Sequence, residues 1–377
     1  MLLKTISTLC ARAGAVDDEA GPVIGPIAPS TTFARDRESY ALTNGKMYLR
    51  DDHENAAVAE RLLAQLEGAC GARLFASGLS AAAAVFTSLL RPGDAVVASA
   101  VCYFGVRHWL TQFGARFSVE VSFVDASDAE LLASAIANKK PKLVWIETPG
   151  NPTLDVVDIA AAAGAAHAHG ALLCVDSTVA TPVHTKPLEL GADLVVHSAT
   201  KYLNGHSDVL AGAVCARVHD ESWRAICAHR HDQGALPGPF EAWLLVRGMR
   251  TLALRVRQQS ASALTIATLL AQRGDVRVLY PGVPSHKNHD VAARQMHGGF
   301  GGLMSICVGS AERALAVVRA LTLFVPATSL GGVESLVEHR ASVEPKGTET
   351  PADLLRLSIG IEDVDELCAD LSSALNS

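Results

Sequence analysis

From Ala72 to Val218 the chain repeats one alternation, in which a short apolar run stops abruptly and is followed by a stretch rich in Ala and Leu at helical spacing. "ARLFA" precedes "SAAAAVFTSLL", "DAVVAS" precedes "VRHWLTQFG", "ARFSVEVSFV" precedes "DAELLASAIAN" and "KLVWIE" precedes "VVDIAAAAGAAHAHG"; "ALLCVD", "DLVVHS" and "LAGAVCARV" follow. Strands separated by helices cannot form hairpins, so successive strands return in the same direction and the helices cover the faces. The pattern predicts an α/β fold with a mostly parallel, helix-covered sheet. Residues 1–55, with "GPVIGPIAPSTTF", read as an extended N-terminal arm without a core of its own. Residues 56–245 carry the large domain. Residues 246–377 form a smaller C-terminal α/β domain, built from the end of a long helical region (Phe240 to about Arg273) and from "VRVLY", "GLMSICVG", "AERALAVVRAL", "LLRLSIG" and "VDELCADLSSAL".

Composition removes several classes. With 32 basic and 39 acidic side chains among 377 residues, the formal charge is −7, and no Lys/Arg run offers a footprint for nucleic acid or an anionic membrane. The longest apolar windows, such as Ala161 to Val175, are interrupted by Gly and His and fall short of the ~20 residues that span a bilayer. The start, "MLLKTISTLCARAGA", lacks the apolar core and cleavage site of a signal peptide. Eight cysteines without a CxxC pair read as small buried hydrophobes in a reducing cytoplasm. The His167/His169 and His229/His231 pairs have no further ligands near them in sequence, so they read as solvated helix-face histidines and no metal site is expected.

In open α/β sheets ligands lie beyond the carboxyl ends of the strands, so those ends supply the candidates. "FASGLSAA" puts Ser77, Gly78 and Leu79 between a strand and a helix, where free N–H groups favour a phosphate. No GxGxxG or GxxxxGK[ST] occurs, so the dinucleotide and P-loop readings lose support. "LVWIETPGNP" ends a strand with Glu147, Thr148 and Asn151, "LLCVDST" ends one with Asp176, and "LVVHSATK" supplies Ser198, Thr200 and Lys201. Each alone has an ordinary reading as helix cap, surface hydroxyl or solvated lysine. Together, a phosphate cradle, a strand-end carboxylate and a lysine point to pyridoxal 5′-phosphate.

"IETPGNP", "VDSTVATP", "PLELGADLVVHSATKYLNGHSDVLAGAV", "FEAWLLVRGMRTLALRVRQ" and "SLGGVESLVEH" with "LLRLSIGIEDVDELCADL" resemble the cystathionine γ-synthase and cystathionine β- and γ-lyase family, the pyridoxal-phosphate enzymes of Cys/Met metabolism. The resemblance runs from about Tyr48 to the C-terminus. It implies the fold-type I architecture of pyridoxal-phosphate-dependent transferases, with Lys201 as Schiff-base lysine and proton carrier. Asp176 would pair with the pyridine nitrogen, and Tyr103 would stack on the ring and serve as a second acid/base. Ser77, Gly78, Leu79, Ser198 and Thr200 would hold the phosphate. Tyr48 and Arg50 would reach the phosphate of a neighbouring subunit, within a homotetramer whose sites are shared. Asn151, Thr328, Ser329 and Arg356 would face cofactor oxygen and substrate, with Arg356 as a bidentate clamp for the α-carboxylate.

The implied activity is C–S cleavage of cystathionine or a related sulfur amino acid by γ- or β-elimination. The alternative is γ-replacement on an activated homoserine ester. Further readings are a methionine γ-lyase and a non-catalytic pyridoxal-phosphate protein. Three departures bear on the substrate. The arm reads Tyr48-Leu49-Arg50-Asp51-Asp52-His53-Glu54-Asn55 where the family commonly has Y-x-R-x-G-N-P-T. Thr328 stands where many members have a glutamate, and Tyr103-Phe104-Gly105-Val106 replaces Y-G-G-T. Asp51, Asp52 or Glu54 would read a distal ammonium group, or would serve the helix beginning near Ala56.

Overall fold

The computed structural model describes residues 5–15, 22–43, 45, 47–344 and 350–377. Seven strands form the large sheet: β1 (Gly71–Phe75), β2 (Ala95–Ser99), β3 (Glu120–Val124), β4 (Leu143–Glu147), β5 (Leu172–Asp176), β6 (Leu194–His197) and β7 (Gly212–Ala216). Their order is β1-β7-β6-β5-β4-β2-β3. Strands β2 to β6 run parallel to one another, as the alternation predicts, whereas β7 is antiparallel to both β6 and β1. β7 follows the Lys201 turn without an intervening helix, so nothing carries the chain back to the starting edge and it reverses beside β6.

Side chains alternate across the sheet. In β4, Val144 and Ile146 join one core with Leu62, Leu63 and Leu66 of the helix Glu54–Glu67, while Leu143 and Trp145 join another with Phe86 and Leu110 on the opposite face. All five residues of β4 and of β7 are buried, as expected of strands covered on both sides.

A second sheet contains β8 (Arg277–Leu279), β9 (Leu303–Cys307), β10 (Val325–Pro326), β11 (Leu336–His339) and β12 (Leu354–Ser358), in the order β10-β11-β12-β9-β8. Only β10 and β11 pair in parallel. Its core includes Ile266 and Leu270 from the helix Leu252–Ala271 and Leu367 and Leu371 from the helix Val364–Asn376.

Two expectations are corrected. The helical region from Phe240 to Arg273 is two helices, Pro239–Met249 and Leu252–Ala271. The Gly248 carbonyl accepts from the buried Arg255 guanidinium (2.9 Å) and the Thr251 hydroxyl (3.2 Å), and its chain passes so close to Asn204 that a Cβ would lie 2.2 Å from the Asn204 carbonyl oxygen. The arm is not wholly extended either. Ile6–Ala11 forms a short helix capped by Thr5, and it buries Cys10 in the large-domain core.

Candidate active site

The order of the sheet reverses between β2 and β4, because the chain moves outward from β2 to β3 and then returns to β2's other side. Such a switch point opens a crevice at the strand ends. The loop after β2 carries Tyr103 and the loop after β4 carries Asn151. One carboxylate ties them: Glu147 accepts from the Tyr103 N–H through Oε2 (2.7 Å) and from the Asn151 N–H through Oε1 (2.8 Å). Burial, and then the charge of Asp176 opposite it in register, push the Glu147 carboxyl above the usual carboxylate range. Tyr103 remains 41% exposed and packs edge-on against Phe104. Its ring lies over Gly105, where a Cβ would come within 2.6 Å of Cε1.

Asp176 ends β5, buried. Its Oδ1 accepts from the Thr178 N–H (3.0 Å) and the Thr178 hydroxyl (2.6 Å). Burial raises its pKa, while the Thr178 hydrogen bonds and the nearby His197 work against that rise. His197 at the end of β6 makes a 2.6 Å contact with Glu67, and both side chains are fully buried. Beyond β6, Ser198 meets the start of the helix Gly78–Leu89 so closely that a Cβ on Gly78 would sit 2.7 Å from the Ser198 Cβ and 2.8 Å from its Oγ. Ser77 caps this helix by accepting from the Ser80 N–H at 3.0 Å. A Cβ on Gly212 would lie 2.1 Å from the Ser77 carbonyl oxygen. The two glycines therefore permit the approach that puts Ser77, Gly78, Leu79 and Ser198 around one helix N-terminus. The Thr200 hydroxyl donates to the Ala211 carbonyl and accepts from its N–H, both at 3.0 Å. It fastens the lysine turn to the segment entering β7.

Lys201 is half-buried, and its amine donates to the Ser329 hydroxyl at 2.8 Å. Burial, reinforced by the positive charge of Arg356, pulls its pKa down to about 8. Ser329 has φ +109, a left-handed conformation that disfavours a side chain. In that conformation its hydroxyl meets Lys201 while its carbonyl accepts from Arg356 Nη2 (2.8 Å). Arg356 comes from β12, buried, and also donates through Nη1 to Asn151 Oδ1 (3.1 Å) and pairs through Nη2 with Glu338 (2.6 Å). Its Nε–H is buried with no acceptor among the described residues. The residues of "LVVHSATK", "PGNP", "ATSL" and "LLRLS" thus converge, although 205 positions separate Asn151 from Arg356.

The arm residues have partners of their own. Tyr48 is 44% exposed, its ring under the Arg50 guanidinium at 5.7 Å, and no hydrogen bond or ion pair among the described residues joins either to Lys201 or Asp176. Asp51 pairs with His231 Nε2 at 2.9 Å, and Glu54 pairs with Arg61 at 3.3 Å from the first turn of the helix Glu54–Glu67. That helix is capped by His53, whose Nδ1 accepts from the Ala56 N–H (3.3 Å). Among the described residues no group of three or more His, Cys, Asp or Glu could hold a metal ion, and no helix is long and apolar enough to cross a membrane.

A family profile described as "Cys/Met metabolism PLP-dependent enzyme" matches residues 7–376. The chain belongs to this family. It is 41% identical over 368 residues to a cystathionine γ-synthase of Mycobacterium tuberculosis, covering 95% of this chain and 93% of the relative. Over 382 residues it is 41% identical to a cystathionine γ-lyase of Dictyostelium discoideum, covering 98% and 97%. The solved structure of a cystathionine γ-synthase from Xanthomonas oryzae pv. oryzae in complex with cystathionine superposes with a TM-score of 0.94 at 38% identity, covering 99% of this chain and 98% of that one.

The protein is accordingly a pyridoxal-phosphate-dependent enzyme acting on sulfur amino acids. The residues present fit that cofactor: a helix N-terminus closed by two glycines for the phosphate, a buried carboxylate for a protonated ring nitrogen, and a lysine amine shifted toward its neutral form. Sequence reasoning gave no role to Glu147, Glu338 or Arg340. The only signal for the last two is a pair of charges alternating along the apolar stretch "LVEHR".

Proposed function

We propose that the protein cleaves the C–S bond of cystathionine or a closely related sulfur amino acid by γ- or β-elimination, releasing a thiol, ammonia and a 2-oxo acid. The observation that carries this reading is the Lys201 amine, shifted to about 8 and held on the Ser329 hydroxyl next to Arg356. A proton carrier works best with a pKa near the operating pH. Bound at Asp176 and the Ser77–Leu79 turn, pyridoxal phosphate would supply an electron sink that acidifies the substrate's α-proton. Arg356, with its unpartnered Nε–H, would take the α-carboxylate. Lys201 would then remove the proton at Cα and, for loss from Cγ, a second proton at Cβ. Tyr103, open to the cleft and pinned through its N–H by Glu147, would protonate the departing sulfur.

A second reading, γ-replacement joining a thiol to an activated homoserine ester, is supported by the 41% identity to a cystathionine γ-synthase. Products decide between them. Purified holoenzyme incubated with cystathionine is expected to give 2-oxobutanoate (γ) or pyruvate (β). Formation of new cystathionine from an acyl-homoserine and cysteine, without 2-oxo acid, would overturn the lyase reading.

Tyr48 and Arg50 would reach a neighbouring subunit's phosphate within a homotetramer, a role supported by their exposure. We propose that the arm, the large domain and the C-terminal domain divide near residues 55 and 245. We place the enzyme in a reducing cytoplasm, supported by eight cysteines that are all free thiols.

A further inference from the structure

Next to the proposed carboxylate clamp lies a chain of four buried charges. Glu338 of β11 turns one oxygen, Oε2, to two guanidinium groups, Arg356 Nη2 at 2.6 Å and Arg340 Nη1 at 2.7 Å. Arg340 continues outward to Glu344 Oε1 through Nη2 (2.6 Å) and Nε (3.1 Å), and Glu344 accepts from the Thr350 hydroxyl at 2.5 Å. The Arg340 side chain is only 2% exposed, and its Cζ stands 5.7 Å from the centroid of the Phe104 ring, beside Tyr103. Two of the three departures from the family's usual pattern converge here: Phe104 supplies that ring, and Thr328 lies against Glu338.

A buried carboxylate facing a single arginine would close on it as a self-contained pair, and an incoming carboxylate would have to compete for that guanidinium. With two arginines on one oxygen, Glu338 is divided between them. Arg356 stays oriented by Asn151 Oδ1, the Ser329 carbonyl and Glu338, with its Nε–H unspent. Arg340 also ties that orientation to Glu344 and, through it, to Thr350.

We infer that Arg340 is a positioning residue for substrate recognition: by sharing Glu338 with Arg356, it fixes the clamp that receives the substrate's α-carboxylate. The inference rests on Arg356 being that clamp, as proposed above.

Glycine and 2-aminoethanol, which differ at the carboxylate, separate the two claims. Their dissociation constants for the holoenzyme are read from the visible absorbance, with the melting temperature and pyridoxal-phosphate affinity measured alongside. In R340Q the preference for glycine is expected to fall about tenfold or more, because small displacements of an orienting group are costly. KM for cystathionine should rise by more than kcat falls, cofactor affinity should hold, and R340K should recover part of the preference. E344Q should shift it in the same direction by less. If R340Q does not fold, R340K and E344Q carry the test, and an unchanged preference in both overturns the inference. Loss of preference in R356K but not in R340Q overturns the role of Arg340 alone. An unchanged preference in R356K removes the clamp, and the inference with it.

Discussion

Glu147 shows how much a single buried carboxylate can organise. It holds the backbone of Tyr103 with one oxygen and that of Asn151 with the other, across the sheet's switch point. In the cofactor-free protein, burial and the neighbouring Asp176 charge raise its folded pKa above the unfolded value. Its contribution to stability is therefore fully present below the unfolded carboxylate value of about 4.3 and is lost as pH rises through the raised folded one. Glu147→Gln stays neutral, so thermal melts of the apo-protein across this range should show a shallower decline with pH than wild type; parallel curves would contradict the assignment. At the acidic end the variant should be less stable by about 1–3 kcal/mol, because the amide NH2 turns a donor toward a backbone N–H. Ser329 offers a second test. At φ +109, glycine relieves strain that alanine keeps, so Ser329→Gly should be more stable than Ser329→Ala by about 1–3 kcal/mol in denaturant titrations. Both lose the hydroxyl that meets Lys201, and both should lower kcat.

At the scale of elements, what the sequence reveals and what it hides follow from the range of the interactions. Strands β2 to β6 and their helices are legible because apolar periodicity is local, and the ends of "LLCVD" and "LVVHS" put Asp176 and the Lys201 turn where the structure has them. The direction of β7 is not legible, since "LAGAVCARV" reads as a strand either way and pairing alone decides. The break at Arg250 depends on Arg255 taking the Gly248 carbonyl, and the Thr200 hydroxyl is taken up by Ala211, a partner eleven residues on. The Arg340–Glu338–Arg356 chain joins β11, β12 and the turn after β11, a meeting that no local pattern encodes. The helix Phe104–Phe117 illustrates how one small residue serves the site: Gly105 leaves room for the Tyr103 ring at its start. Gly105→Ala should displace that ring and speed pyridoxal-phosphate release about tenfold, followed by absorbance during dialysis. Unchanged release would mean that the ring adds nothing to cofactor retention.

For the whole molecule, the exposed Tyr48 and Arg50 make the proposed sharing of sites testable by complementation. A Lys201→Ala subunit brings an intact arm, and a Tyr48→Phe/Arg50→Ala subunit brings an intact lysine. Random pairing of the two inactive proteins should restore roughly a quarter of wild-type sites, since half the pairs are mixed and each mixed pair rebuilds one site. No recovery after subunit exchange would place the arm within its own chain's site. The order of the large sheet also bears on how the protein is made. β1 has one partner, β7, and in register Phe75 meets Gly212. Because Ser77 and Gly78 directly follow β1, the turn proposed to hold the phosphate is anchored only when residues 212–216 have left the ribosome. At roughly 5–20 residues per second, that leaves Gly71–Phe75 without a strand partner for on the order of ten to thirty seconds of synthesis. Throughout that interval the nascent chain exposes an unpaired apolar edge, and the cofactor has no finished cradle to enter.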